Sequence, residues 1–188
     1  FENVNLKVHA GEILGMSGLV GAGRSEVMRA LVGYDPLDSG EIYLEGKQIQ
    51  IKHPKDAINN HIIMASEDRK ALGLVLERSI KENIAVQNFN KFSKGGFINH
   101  VKEKSLCKDY AEQMTTKMNS IEDTALSLSG GNQQKVVLAK CMLSEPKVLI
   151  MDEPTRGIDV GAKAKIYSLM LEMTQRGIAI IMISSEMP

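Results

Sequence analysis

The chain has 188 residues, 23 Lys+Arg against 23 Asp+Glu and a formal net charge of zero. That length fits one domain, or one with an insertion, and the even charge balance argues against a nucleic-acid binder acting through a broad basic stripe. A hydrophobic fraction of 43% with 24% charged residues argues against global disorder, and the longest purely apolar run, Ile178–Ile183, is far short of a bilayer span.

No secretion signal stands at the start, and the two cysteines, Cys107 and Cys141, fit a reducing compartment better than a disulfide scaffold. Opening on Phe1 and stopping at Pro188, the chain reads as a piece of a longer polypeptide. Short apolar runs alternating with helical stretches predict an α/β architecture. Val4, Leu6 and Val8 alternate with polar residues, as in a half-buried strand, and Gly11–Met16 predicts a second strand leading into a glycine-rich loop. Val27, Met28, Leu31 and Val32 recur at helical spacing, with Gly33 as a C-cap. Two short strands, Glu41–Leu44 and Gln48–Ile51, a short helix opening at Pro54 and a strand over His61–Ala65 follow.

Strand signal fades between about Ser79 and Leu126. Ser79 and Glu82 form a capping box, and Val101–Met118 has helical character. Lys91, Lys94, Lys102, Lys104 and Lys108 cluster there, but interleaved Glu103, Asp109 and Glu112 favour a solvated helical face over a nucleic-acid patch. Val148–Met151 and Ile178–Ile183 read as buried strands. Between them a helix places Ile166, Leu169, Met170 and Met173 on one face and ends at Gly177.

Three segments carry chemistry. Gly18-Leu19-Val20-Gly21-Ala22-Gly23-Arg24-Ser25 follows the phosphate-loop pattern, with Arg24 where lysine is expected. Glycines let successive N–H groups turn inward as an anion nest, the following helix adds its dipole, and the Ser25 hydroxyl suits Mg²⁺. Arginine keeps the charge but as a wide planar fork. An ordinary glycine-rich turn is the plainer alternative. The dinucleotide pattern fails, because Glu26 stands where its third glycine belongs. Second, Val148–Asp152 is an apolar run ending in Asp152 and Glu153, residue types that hold Mg²⁺ and polarise an attacking water. Third, Leu128-Ser129-Gly130-Gly131-Asn132-Gln133-Gln134-Lys135 opens a helix whose N-terminus suits a γ-phosphate. An N-cap accounts for Ser129 but not for two glycines followed by three amides.

Phosphate loop, L-S-G-G turn and D-E-P-T strand end, in that order, resemble the ATP-binding subunit of an ABC transporter over the whole chain. Together with S-E-D-R-K, D-E-P-T-R-G-I-D-V-G-A-K and I-S-S-E-M-P, the segments are similar to the C-terminal nucleotide-binding half of the monosaccharide importers (ribose, galactose, xylose and arabinose systems), in which two ATPase halves share one polypeptide. The resemblance implies an ABC-type P-loop NTPase fold: a mixed central sheet, an antiparallel β-subdomain and an inserted helical subdomain. It divides a single domain into a core, 1–67 and 127–188, and a helical part, 68–126. ATP and Mg²⁺ are the implied cofactors.

By the same resemblance Gly18, Gly21, Ala22, Gly23, Arg24, Ser25 and Glu26 form the Walker A nucleotide site. Glu67 falls at the Q-loop position, near nucleotide and metal, and Ser129, Gly130, Gly131 and Asn132 are the signature. Ser25 and Asp152 hold Mg²⁺, Glu153 is the catalytic glutamate, Asp159 closes the D-loop and Ser185 stands at the switch-histidine position. Arg24, Glu67 and Ser185 depart from the family pattern near the γ-phosphate or Mg²⁺, which implies a weak site on this half's own loop and a sound signature for the other half's ATP. Implied partners are the N-terminal half of the parent chain or a second copy, permease subunits (which dock at the groove around Glu67 to Ala85) and, indirectly, a sugar-binding protein. Nucleic acid is not among them. The implied location is the cytoplasmic face of a bacterial membrane. A nucleotide-gated module that never hydrolyses, and a soluble ABC ATPase of repair or translation, stay open as alternatives.

Overall fold

The computed structural model describes residues 2–19 and 21–185. In chain order it has β1 (Ile13–Ser17), α1 (Arg24–Leu31), β2 (Ile42–Leu44), β3 (Lys47–Ile49), α2 (Pro54–Asn59) and β4 (Ile62–Ala65). A π-helical turn at Arg69–Gly73 precedes α3 (Ile80–Ala85), β5 (Ser93–Lys94), β6 (Phe97–Ile98) and α4 (His100–Gln113). The chain continues through α5 (Gly130–Leu143), β7 (Val148–Asp152), α6 (Val160–Gln175) and β8 (Ala179–Ser184). Two compact units result: Phe1–Met64 with Pro146–Glu153 and Met173–Pro188, and Ala65–Glu145 with Pro154–Glu172.

The first unit is built on a sheet of order β1-β8-β7-β4, with β8 parallel to both neighbours. Parallel interior strands are covered on both faces and so read as continuous apolar runs. Leu149, Ile150, Met151 and Ile180 are accordingly fully buried. Met28 of α1 and Val32 at its C-cap pack with Ile51, Ala57, Ile62, Ile150, Ile181 and Ile183 in one core cluster. Antiparallel pairing lies in separate hairpins. β2 and β3 pair Leu44 with Lys47 across Glu45 and Gly46, both at positive φ (51° and 76°) as a two-residue hairpin turn requires.

Two sequence expectations are corrected. Residues 2–9 form no strand: among the described residues no ladder partner lies beside them, and Val4 and Leu6 stay exposed while Val8 packs on the core. The stretch after Ser79 is not free of strand, since β5 and β6 form a small hairpin.

In the second unit α5 is the central element. Val136, Leu138, Ala139 and Cys141 are buried around its circumference, because α3 and α4 both pack on it. Spatial grouping therefore gathers Ala65–Glu145 and Pro154–Glu172 into this unit. The lysine-rich face is solvated and locally paired: Lys104 meets Glu122 and Lys108 meets Glu112. Both cysteines are buried as free thiols, and desolvation pushes Cys107 up to about 12 and Cys141 to about 11.

The predicted capping box starts α3. The Glu82 N–H donates to Ser79 Oγ (3.1 Å) and the Ser79 N–H donates to Glu82 Oε2 (2.9 Å). The Ser79 N–H, and next the Ser79 hydroxyl that donates to the same Glu82 Oε2 (2.9 Å) and is lost in an alanine variant, hold the Glu82 carboxyl below its ordinary value. A depressed acid stabilises the fold above its unfolded pKa and loses that contribution as pH falls through the folded one. Ser79→Ala is expected to cost about 1 kcal/mol at neutral pH and clearly less in strong acid; equal losses at both pH values, measured by urea unfolding, would contradict the reciprocal cap.

Candidate nucleotide-binding site

In the first unit, β1 delivers the chain into the glycine-rich loop, whose Val20 lies outside the described residues. The Ala22 N–H donates to Leu19 O (3.1 Å), folding the loop back. Gly21 and Gly23 have φ of 83° and 80°, and a Cβ on either would meet nothing within 4 Å, so the left-handed backbone and not space calls for glycine there. Gly23 is the N-cap of α1 and supplies no side chain, leaving the first-turn N–H groups uncapped by side chains. Such a turn is a ready anion site. Gly18 and Ala22 lie in the loop, Ser25 is half-buried in the first turn and Glu26 is exposed beside it.

Arg24 does not extend freely. Nη1 donates to Ser184 O and Nη2 to Leu19 O, each at 3.2 Å, so the fork ties the loop to the end of β8. Two of the donors that would grip phosphate are held by this chain's own carbonyls.

At the end of β7, Asp152 is 4% exposed. Burial raises its carboxyl above the ordinary range, partly opposed by a hydrogen bond with Ser25. Asp152 Oδ1 is buried and has no hydrogen-bond partner. Glu153 adopts φ 46°, a left-handed conformation that is strained for a side-chain-bearing residue. Two contacts hold it: its N–H donates to Ile183 O (3.0 Å), and its Oε1 accepts from the Ser185 N–H (2.7 Å). Position 185 therefore acts on Glu153 through the main chain, a contact that side-chain identity does not foretell. The first unit thus brings together the loop, Ser25, Asp152, Glu153 and Ser185.

The orphaned Asp152 oxygen and the adjacent Ser25 hydroxyl form an oxygen-only donor set. Mg²⁺ takes few protein ligands, with water and phosphate completing its shell, and these two residues fit it. Among the described residues no group of three or more His, Cys, Asp or Glu side chains is placed to cage a metal.

The second unit gathers Ser129–Asn132, Asp159 and Glu67. Ser129 occupies the N-cap of α5, but its hydroxyl makes no capping bond to the backbone. It accepts from Asn132 Nδ2 (3.0 Å), and Asn132 Oδ1 accepts from the Lys117 N–H (2.9 Å). The N-cap expectation is thus met in position and not in bonding. Close approach explains both glycines. A Cβ on Gly130 would stand 2.9 Å from Arg69 Nη2, and one on Gly131 would stand 2.7 Å from the Ala162 Cβ. Asp159 Oδ1 accepts from the Ala162 N–H (2.9 Å) and so caps α6. Glu67 is ion-paired with Arg156. Sequence reasoning assigned no role to Arg69, Arg156 or Ala162, although all three lie in segments singled out for the family resemblance.

A glycine-rich loop between strand and helix, with its Ser25 hydrogen-bonded to a buried aspartate at the end of β7, defines a phosphate-loop nucleotide-binding domain. The ABC transporter family model matches residues 1–156, and the chain belongs to that family. It is 54% identical over 188 residues to the ribose import ATP-binding protein RbsA of Bacillus licheniformis, and 54% identical to that of Bacillus subtilis. All of this chain, but only 38% of each relative, is covered. Among solved structures, a nucleotide-free ATP-binding cassette from an ABC transporter matches with TM-score 0.78 at 22% identity, covering 95% of this chain and 72% of that one. A dimeric bacterial ABC transporter cassette matches with TM-score 0.79 at 19% identity, over 98% and 79%. These two share the fold.

Proposed function

We propose that the chain is the second nucleotide-binding half of an ATP-binding subunit that couples ATP binding and hydrolysis to monosaccharide import. The identity to ribose import ATP-binding proteins supports a pentose or related sugar as cargo. The observations that carry the division of labour are an N-cap Ser129 whose hydroxyl caps no backbone N–H and a phosphate-loop arginine engaged with its own chain's carbonyls. On this reading the chain's own loop binds MgATP weakly, through Gly18–Glu26 with Ser25 and Asp152 on the metal. Its signature completes the ATP site of the N-terminal half of the parent chain or of a second copy.

Bound MgATP supplies the scissile phosphate and the cation that neutralises its charge. Ser25 and Asp152 would hold that cation, and Glu153, whose Oε1 accepts from the Ser185 N–H, would accept a proton from water. Among the described residues no helix is long and apolar enough to cross a membrane. The domain sits against permease subunits at the cytoplasmic face of a membrane, with a sugar-binding protein acting through them. The Arg24 arrangement also favours a second reading, a module that binds nucleotide without hydrolysing it; the held Glu153 carboxylate favours hydrolysis.

MgATP-driven ribose uptake by vesicles carrying the parent transporter tests the proposal. Arg24→Ala is expected to slow uptake by no more than about threefold. Complete loss would show that this loop is indispensable, and absence of ATP-driven uptake of any monosaccharide would overturn the importer reading.

A further inference from the structure

The segment after β4 and the loop after β7 are laced together within the second unit. Asp68 Oδ1 accepts from the Lys70 and Ala71 N–H groups (3.0 and 2.9 Å) and starts the π-helical turn. From that turn Arg69 reaches across: Nη1 donates to Arg156 O (2.9 Å) and Nη2 to Gly157 O (3.4 Å). In the opposite direction the Arg156 side chain pairs with Glu67. Each segment therefore supplies an arginine that grips the other, one on backbone carbonyls and one on a carboxylate.

The same guanidinium closes over the signature. A Cβ on Gly130 would stand 2.9 Å from Arg69 Nη2 and 3.5 Å from Gly157 O, so the guanidinium end lies over this first turn and a side chain here would have to displace it. Nearly three turns further along α5, Lys140 donates to the Gly73 carbonyl at the far end of the π-helical turn. Arg69 thus bonds the loop before Asp159 and, in the same reach, lies over the first residue of the signature helix. Its fork matches two adjacent carbonyls, which a single ammonium does not reproduce.

We propose that Arg69 is a positioning residue that locks the 156–159 loop to the first turn of α5, giving the nucleotide-facing surface one fixed shape, with Arg156 neutralising Glu67 as part of the same lacing. This rests on the reading that Ser129–Gly131 complete a partner's ATP site. Arg69 acts through backbone it holds and not by touching nucleotide. Loosening it therefore lowers turnover at saturating ATP and leaves affinity unchanged, since the surface matters most as charge develops on the phosphate.

The test uses the full parent transporter with its permease, reading kcat and KM for MgATP and the thermal midpoint. Arg69→Ala is expected to lower kcat about tenfold, as a displaced catalytic surface does, with KM unchanged within about twofold. Arg69→Lys, which keeps charge and stem, is expected to recover part of kcat and decides the matter should the alanine variant not fold. A raised KM with wild-type kcat would make Arg69 a nucleotide contact and overturn the proposal. Wild-type kcat in both variants, with turnover stopped by Ser129→Arg, would overturn it alone. Wild-type turnover in Ser129→Arg would instead remove the reading on which it rests.

Discussion

Ser129→Arg is expected to reduce ATP turnover of the parent transporter by at least about 100-fold, the scale of losing preorganised donors to a developing negative charge. Ser129 is exposed at the N-cap, and its hydroxyl bonds Asn132 and no backbone N–H. The first-turn N–H groups of α5 carry no side-chain cap from it, which leaves the place beside exposed Ser129 unfilled by that hydroxyl. An arginine there fills that space with a long side chain and a fork of its own. Because the native hydroxyl caps nothing, folding stability is expected to move by no more than about 0.5 kcal/mol, as for ordinary surface changes. Melting and turnover measured on one preparation check both halves of the expectation. Unchanged turnover would mean that no partner's nucleotide meets this turn.

Gly131→Leu is expected to be the most damaging small change in the second unit, destabilising by about 3 kcal/mol, at the upper end of overpacking. The comparison that decides the cause is Gly131→Ala. Alanine in place of a helical glycine ordinarily gains up to about 1 kcal/mol. Here its Cβ would stand 2.7 Å from that of Ala162, and Ala162 sits in the first turn of α6, where only movement of the backbone relieves the clash. A net loss of about 1–2 kcal/mol is expected instead. Adding Ala162→Gly returns most of it, giving a coupling energy in a double-mutant cycle. Simple additivity of the two substitutions in denaturant unfolding would rule the contact out as the reason for the glycine.

The elements that sit against a core were legible from sequence because burial leaves a period. The runs at β7 and β8, the capping box at Ser79 and the face of Ile166, Leu169, Met170 and Met173 all carry their own signal, and all four of those side chains are buried. Residues 2–9 show the converse: alternation gives a strand only where a neighbour offers a ladder. The spatial grouping of α5 with α3 and α4 depends on contacts distant in sequence, which no local pattern encodes. The phosphate loop and signature were legible as motifs, because left-handed backbone at Gly21 and Gly23 and the close approach of Ala162 at Gly131 call for glycine. What sequence did not reveal is where donors go. Arg24 bends to Leu19 and Ser184, Glu67 meets Arg156, and Ser185 acts through a main-chain N–H common to every residue but proline.

The two buried cysteines have a practical side. A thiol attacks maleimides and iodoacetamides as the thiolate. Cys107 and Cys141 are both inaccessible and held far above the pH at which such reagents are used. The natural sequence of this domain is thus a nearly silent background for single-site chemistry. A cysteine introduced at exposed Leu19, on the phosphate loop, or at exposed Ser185, behind Glu153, would be the residue in this domain that takes a fluorophore or spin label. Loop and switch position can then be followed during turnover without first stripping native thiols from the core.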